Sequence, residues 1–387
     1  MIYDFSYLNP TTIHFGKKAM EYLFEELLKY GKNILFLYGR GSIKKIGVYD
    51  EVIKALKATS KNIFECPGVM PNPTYDKVLE GAKMCRDNNI DLILAVGGGS
   101  VIDCAKAISA SAYAKDDPWQ RFYINFEPVT ERVIPIGDIL TMAGTGSECN
   151  GGAVITNTAT KQKIGRVFPI ELYPRFAILN PEYTYSVSEY QMLSGIFDIF
   201  SHLMEQYFSN EDDNVSDYLL EGLMKSLIVV TPLALKDPRN YEARSNIMWA
   251  ASIALNGIAG VSKLQDWEVH GIEHQISAYT NCAHGIGLAS ISVNYYKAEY
   301  KYGLAKFVRF AINVFNVNPK EKSDDEIALL GLDALDKFIR DNKMYYPLKE
   351  LGVTEEMLKD IAYSAEEGGG YHHFTHKEIL QLLKESL

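Results

Sequence analysis

The feature that most constrains this chain is DLILAVGGGSVIDCAKAISASA, residues 91–112. A short apolar run ends in three glycines and passes directly into a helical pattern. Consecutive apolar positions suit a strand buried on both faces, whereas a sheet with one wet face shows alternation. The same unit occurs twice upstream. KNILFLYG reads as a buried strand followed by the amphipathic helix VYDEVIKALKA, and NIFE as a short strand followed by the helix YDKVLEGAKMCRDNN. This βαβα rhythm predicts a parallel sheet covered on both faces, with ligands beyond the strands' carboxyl ends. Further β-like pieces stand at RVIPIG, GGAVITN and FAILNP.

After Asn180–Pro181 the pattern changes. QMLSGIFDIFSHLMEQYF, SDYLLEGLMKSLIVVTPLAL and EARSNIMWAASIALNGIAG all carry helical spacing of apolar residues, and the remainder continues so to the end. A chain of 387 residues exceeds what one core usually supports. The expectation is therefore a nucleotide-binding α/β domain over 1–182 and an all-α domain over 183–387.

Charge and cysteine usage narrow the partners. A net charge of −10 argues against nucleic acid or an acidic membrane as a general partner, because phosphate binding needs basic surface. The five cysteines (Cys66, Cys85, Cys104, Cys149 and Cys282) are odd in number and never form a CxxC pair, which fits a reducing cytoplasm. The N-terminal segment MIYDFSYLNPTTIHFG lacks the pattern of a secretory signal, and no apolar run is expected to span a membrane.

Three glycine-rich stretches follow predicted strands. In AVGGGSVID, the turn Gly97-Gly98-Gly99-Ser100 opens a helix, where free backbone N–H groups can attract a phosphate. It is not a GxGxxG fingerprint, and strand-to-helix geometry alone also accounts for it. In YGRGSIKK, Gly39, Gly41 and Ser42 offer backbone and hydroxyl groups, with Arg40, Lys44 and Lys45 adding charge. No acid lies between Tyr38 and Tyr49, where an NAD site usually holds one against the ribose, so NADP is favoured. A solvated basic loop is the simpler alternative. In TMAGTGSECNGG, Thr141, Thr145 and Ser147 sit among glycines in a composition suited to a loop pressed against a ligand or to an ordinary turn.

The second half concentrates imidazoles. DIFSH places Asp198 and His202 four apart on one helix face, where they can chelate one ion or form a plain side-chain pair. HGIEHQISAYTNCAHG holds His270, His274 and His284, three of the eight histidines. A nucleotide in one domain and a divalent metal in the other suggest redox chemistry on a metal-bound oxygen. A shell of three imidazoles and one carboxylate suits Fe²⁺ or Zn²⁺.

Together, GGGSxxDxxK, TGSE, DxxxH and HxxxHx9H resemble the iron-containing alcohol dehydrogenases, and most closely their NADPH-dependent butanol dehydrogenase branch. The resemblance runs from NPTTIHFGKKA through GVMPNPTYDKV, FAILNPEYTYSVS and YEARSNIMWAASIALNG to the histidine segment. It implies a dehydroquinate-synthase-like α/β domain and a helical metal-binding domain. The ligands it implies are Asp198, His202, His270 and His284, with His274 beside the nicotinamide as the residue relaying a proton. It implies cofactor contacts at Gly97, Gly98, Ser100 and Asp103 for the pyrophosphate. Thr141, Thr145, Lys163 and Asn72 line the rest of the nucleotide, and Gly39 with Ser42 face the 2′-phosphate.

The implied reaction is reversible hydride transfer between NADP(H) and a short-chain primary alcohol or aldehyde in a cytoplasmic homodimer. The metal acts as Lewis acid, and three neutral ligands leave the site a net positive charge. Two departures stand out. Relatives of the branch read GGGS where this chain has Gly39-Arg40-Gly41-Ser42. The segment GGGYHHFTH, with His372, His373 and His376, is also unlike them; an exposed loop accounts for two of its histidines, with His373 expected near the mouth of the site. An NAD-dependent glycerol or diol dehydrogenase of the same fold is an alternative. A metallohydrolase is a weaker one, because Gly271 stands where HExxH requires glutamate.

Overall fold

A computed structural model describes residues 4–209, 215–365 and 368–387. The chain divides into two compact units, Leu8–Val187 and Ser188–Leu387, with the described N-terminal residues 4–7 belonging to the second.

The first unit is built on a six-stranded parallel sheet. Its strands are β1 (Thr12–Phe15), β2 (Asn33–Tyr38), β3 (Asn62–Cys66), β4 (Leu92–Gly97), β5 (Ile136–Leu140) and β8 (Phe176–Leu179), in the order β1-β8-β5-β4-β2-β3. Every residue of β4, β5 and β8 is buried, as the continuous apolar runs of β4 and β8 require, and β5 buries Asp138 among its apolar neighbours. Ile34, Phe36, Leu94, Val96, Ile139 and Ile178 join helix residues Val48, Val52 and Leu56 in one core. Because all six strands run the same way, the turns after β2, β3, β4 and β5 emerge along one edge.

Two details differ from the sequence pattern. The strand expected at RVIPIG begins only at Ile136, after Pro135, whose missing N–H cannot join a ladder. GGAVITN, read as β-like, is the strand β6 (Gly152–Asn157), but it lies outside the six-stranded sheet and pairs antiparallel with β7 (Gln162–Val167) in a separate hairpin.

The second unit is helical. Helix Glu189–Tyr207 lies at its centre, buried at every position from Met192 to Tyr207. Helices Val215–Lys236, Tyr241–Leu255 and His284–Glu299 all pack against it. The ends are set locally. Ser188 and Asn240 accept bonds from backbone N–H groups of the first turn, and Ser323 and Thr375 form reciprocal capping boxes with Glu326 and Glu378. One expectation is corrected here: Val215–Lys236 is long and apolar enough to cross a membrane by length and composition. It packs beside Glu189–Tyr207 and Tyr241–Leu255, and its Asp217 is paired with Lys263 and Lys306.

Candidate active site

The helical unit brings four distant residues to one point. Asp198 and His202 occupy successive turns of Glu189–Tyr207, His270 lies in the first turn of Glu268–Thr280, and His284 is the first residue of His284–Glu299. Asp198 Oδ1 is 3.2 Å from His202 Nε2 and 3.6 Å from Nε2 of both His270 and His284. Three imidazoles thus turn the same nitrogen toward one carboxylate oxygen. The rings of His202 and His270 stack at 4.8 Å, and Trp267 meets both edge-on.

The helices can approach so closely because residue 285 is glycine. A Cβ there would stand 1.8 Å from the Ser194 carbonyl oxygen, and the Gly285 N–H donates to Ser194 Oγ at 3.0 Å.

The electrostatics are those of a site built for a cation. Burial disfavours the Asp198 carboxylate, yet the imidazoles of His202, His270 and His284 hold it well below the usual carboxylate range. Burial pushes His202 down to about 3 despite Asp198 beside it. Burial also opposes charge on His270, but the Glu205 and Asp198 carboxylates outweigh it and hold that imidazole up at about 10. Asp198 Oδ1 and His270 Nε2 are buried and make no hydrogen bond of acceptable geometry. Orphaned donor atoms facing one another at this depth fit a divalent ion.

Two carboxylates stand behind the imidazoles. Glu205, fully buried, bonds His270 Nδ1 and also accepts the His270 backbone N–H at 3.1 Å. Glu273, fully buried, bonds His284 Nδ1 and accepts from the Ser277 hydroxyl. Neither was apparent as a site residue in the sequence. The available signal was spacing, since Glu205 follows His202 by three and so shares its helix face. His274 is half-buried, its ring 5.2 Å from that of His284 and 6.2 Å from that of His270.

The C-terminal histidines have local partners. His372 stacks on Tyr302 and contacts Glu378, His376 stacks on Tyr363 and contacts the Ala365 carbonyl, and His373 is exposed.

In the α/β unit the three glycine-rich stretches meet at one edge of the sheet. Helix Gly99–Ser111 starts without a side-chain cap, which leaves its first N–H groups available. A Cβ on Gly97 would lie 2.4 Å from Val101, and one on Gly99 would lie 2.2 Å from Thr145 Oγ1. The turn at 97–100 is therefore pressed against the loop carrying Thr141 and Thr145, and Thr141 N bonds the Gly97 carbonyl at 2.9 Å. The Ser100 hydroxyl donates to the Pro71 carbonyl beside Asn72, and Thr156 N on the hairpin bonds the Pro73 carbonyl at 2.9 Å. Lys163 lies on that hairpin opposite Thr156, largely buried.

Gly39 connects to the same edge through Gly68 N, 3.1 Å from its carbonyl oxygen. Gly41, with φ of +113°, turns the backbone into the short helix that begins at Ser42. Of the basic residues in this loop, Lys44 lies over the Tyr49 ring at 4.5 Å, and the Arg40 guanidinium contacts Met70 Sδ.

Asp103 accepts from the Ser147 hydroxyl and from Val154 N, and Lys106, fully buried, bonds Ser147 Oγ, Asn150 Oδ1 and the Gly152 carbonyl. This pair ties the loop 141–152 to the helix behind it. Burial pulls the Lys106 ammonium down to about 8, against the neighbouring Asp103 and Asp138 carboxylates.

A parallel α/β unit with a glycine turn at a helix start, and a helical unit with three imidazoles around one aspartate, define a nucleotide- and metal-dependent class of enzyme. The comparisons agree. Residues 10–181 match the model of the iron-containing alcohol dehydrogenases, and residues 192–387 match that family's C-terminal region. The chain belongs to the iron-containing alcohol dehydrogenase family.

Three relatives illustrate the match. A probable NADH-dependent butanol dehydrogenase 1 of Bacillus subtilis is 39% identical, over 99% of this chain and 100% of that protein. The NADPH-dependent aldehyde reductase YqhD of Escherichia coli is 36% identical, over 95% and 94%. The crystal structure of an NADH-dependent butanol dehydrogenase A from Thermotoga maritima superposes with a TM-score of 0.94 at 34% identity, covering 100% of this chain and 99% of that one.

Proposed function

We propose that the chain is a metal-dependent alcohol dehydrogenase and aldehyde reductase. It transfers a hydride between the nicotinamide of NADP(H) and the carbon of a short-chain primary alcohol or aldehyde. One observation carries the reading: the Nε2 atoms of buried His202 and His270 and of half-buried His284 all turn toward one oxygen of buried Asp198. Asp198, His202, His270 and His284 would hold the ion, Fe²⁺ by preference and Zn²⁺ as the alternative. When bound, that ion supplies Lewis acidity toward the substrate oxygen. A hydrolase reading is weaker, because Glu273 is engaged with His284 and Ser277 rather than free to activate water.

The chain's own residues divide the remaining work. The backbone of Gly97, Gly98 and Ser100 receives the pyrophosphate, Thr141, Thr145, Lys163 and Asn72 line the nucleotide, and Asp103 holds the loop in place. His274 exchanges the proton with the alcohol oxygen, directly or through water. Gly39 and Ser42 take the 2′-phosphate, which the absence of an acid between Tyr38 and Tyr49 favours. NADH is the second reading, supported by the butanol dehydrogenases named for it. We also propose a cytoplasmic homodimer; the free, mostly buried cysteines agree with a reducing compartment.

The test is oxidation of NADPH by metal-loaded protein against a panel of short aldehydes, with and without chelator, then with NADH in its place. Turnover that chelator removes is expected; no oxidation of either nucleotide with any aldehyde would sink the assignment. His274→Ala is expected to keep the metal and lose turnover.

A further inference from the structure

We infer that Glu205 and Glu273 are positioning residues for the metal centre, each orienting one imidazole by taking the proton-bearing nitrogen that faces away from the ion. The inference rests on the metal-site reading above and concerns how that site is held.

The arrangement is sequential along the chain. Helix Glu189–Tyr207 supplies Asp198 and His202, and one turn later it supplies Glu205, which bonds His270 on helix Glu268–Thr280. Helix Glu268–Thr280 supplies His270, and three residues later Glu273, which bonds His284 at the start of the third helix. Each helix therefore carries both a ligand and the carboxylate that orients the following ligand. A carboxylate on Nδ1 fixes the tautomer with its proton there and leaves the Nε2 lone pair directed at Asp198 Oδ1.

Both carboxylates are deeply held. Glu205 is also reached by the His270 backbone N–H at 3.1 Å and by Ser201 Oγ at 3.3 Å. Glu273 has room only because residue 287 lacks a side chain, since a Cβ on Gly287 would lie 2.7 Å from Glu273 Oε1. His202 is different: its Nδ1 is buried without a hydrogen-bond partner, and stacking on His270 orients its ring instead.

The experiment uses full-length protein stripped of metal and retitrated with Co²⁺, whose visible d–d bands report ligand geometry, and with Fe²⁺ under anaerobic conditions. Glu205→Gln and Glu273→Gln are expected to bind either ion roughly 10–100-fold more weakly. Their Co²⁺ bands should shift, with unchanged far-ultraviolet circular dichroism. Gly287→Ala, which displaces Glu273 without removing it, should move affinity and bands the same way. If Glu205→Gln fails to fold, the two variants at 273 and 287 still decide the matter.

Affinity within twofold of the unaltered protein and unmoved bands in both Gln variants would overturn the inference. So would two bound ions per chain falling to one in Glu273→Gln, which would make Glu273, His274 and His284 a second metal site. Asp198→Ala separates the two readings. If that variant keeps its full complement of ion, the metal-site assignment itself fails, whatever the Gln variants do.

Discussion

The glycine turn of the α/β unit and the imidazole centre of the helical unit are candidate binding sites made by opposite means. At residues 97–100 the chemistry is in the backbone, and the side chains have been removed to let it work. A Cβ on Gly97, Gly98 or Gly99 would fall within 3.2 Å of Val101, Met142 or Thr145. At Asp198 the chemistry is in side chains delivered by three helices, and the backbone only sets their spacing. The first site tolerates no added atoms, whereas the second tolerates no lost ones.

That contrast can be broken experimentally. The largest effect is expected at the imidazole centre, where Asp198→Ala or His202→Ala should abolish stoichiometric metal, measured by elemental analysis. Turnover should fall on the order of 10³-fold, the loss of several kcal/mol of charge stabilisation. Next, Lys106→Met should cost about 2–5 kcal/mol in denaturant unfolding, because it leaves Ser147 Oγ, Asn150 Oδ1 and the Gly152 carbonyl without their buried donor. A cost under about 1 kcal/mol would mean the tie between loop 141–152 and its helix is not electrostatic.

At the glycine turn, Gly99→Ala should cost about 1–3 kcal/mol of strain and raise KM for the nicotinamide nucleotide roughly tenfold, with bound metal unchanged. Lost metal in that variant would mean the two sites are not independent.

A gentler test is pH. Beside the imidazole centre, burial pushes Asp266 up to about 6, Glu268 to about 9 and Glu299 to about 8, with neighbouring carboxylates adding to each shift. Folded protein keeps these protons at a pH where unfolded chain has released them. Their contribution is complete below the ordinary carboxyl range, near pH 4, and declines as pH rises toward 9. The expected result is a fall in Tm on the order of 2–5 °C between pH 6 and 9, shallower in Glu299→Gln.

The smallest effect is expected at the exposed Arg40, where Arg40→Ala should lower preference for NADPH over NADH by about 2–5-fold. No change in that ratio would mean the guanidinium plays no part in nucleotide choice.

Much of the fold and of the site is legible in the residues themselves. The parallel sheet follows from continuous apolar runs at 34–38 and 92–97 that only a doubly covered sheet can bury. The pairing of Asp198 with His202 follows from helical period. The sequence pattern did not mark the hairpin partner at 162–167, since QKIGRV is half polar without strict alternation and its pairing depends on β6 lying beside it. Nor did it reveal that Lys44 is drawn over Tyr49, near a Glu65 whose oxygens take the hydroxyls of Tyr38 and Tyr49. A basic loop reads the same in sequence wherever its cations point.

Sequence alone determined which residues could act, because glycine, aspartate and histidine at fixed spacings carry their chemistry with them. It also determined the family, through the combination of motifs across the whole chain. Tertiary structure decided which nitrogen of His270 and His284 faces Asp198, because Glu205 and Glu273 on other helices hold the opposite nitrogen. It likewise decided that Glu205 and Glu273 stand behind those rings. Such contacts join residues 65 and 11 positions apart, and no local periodicity encodes them.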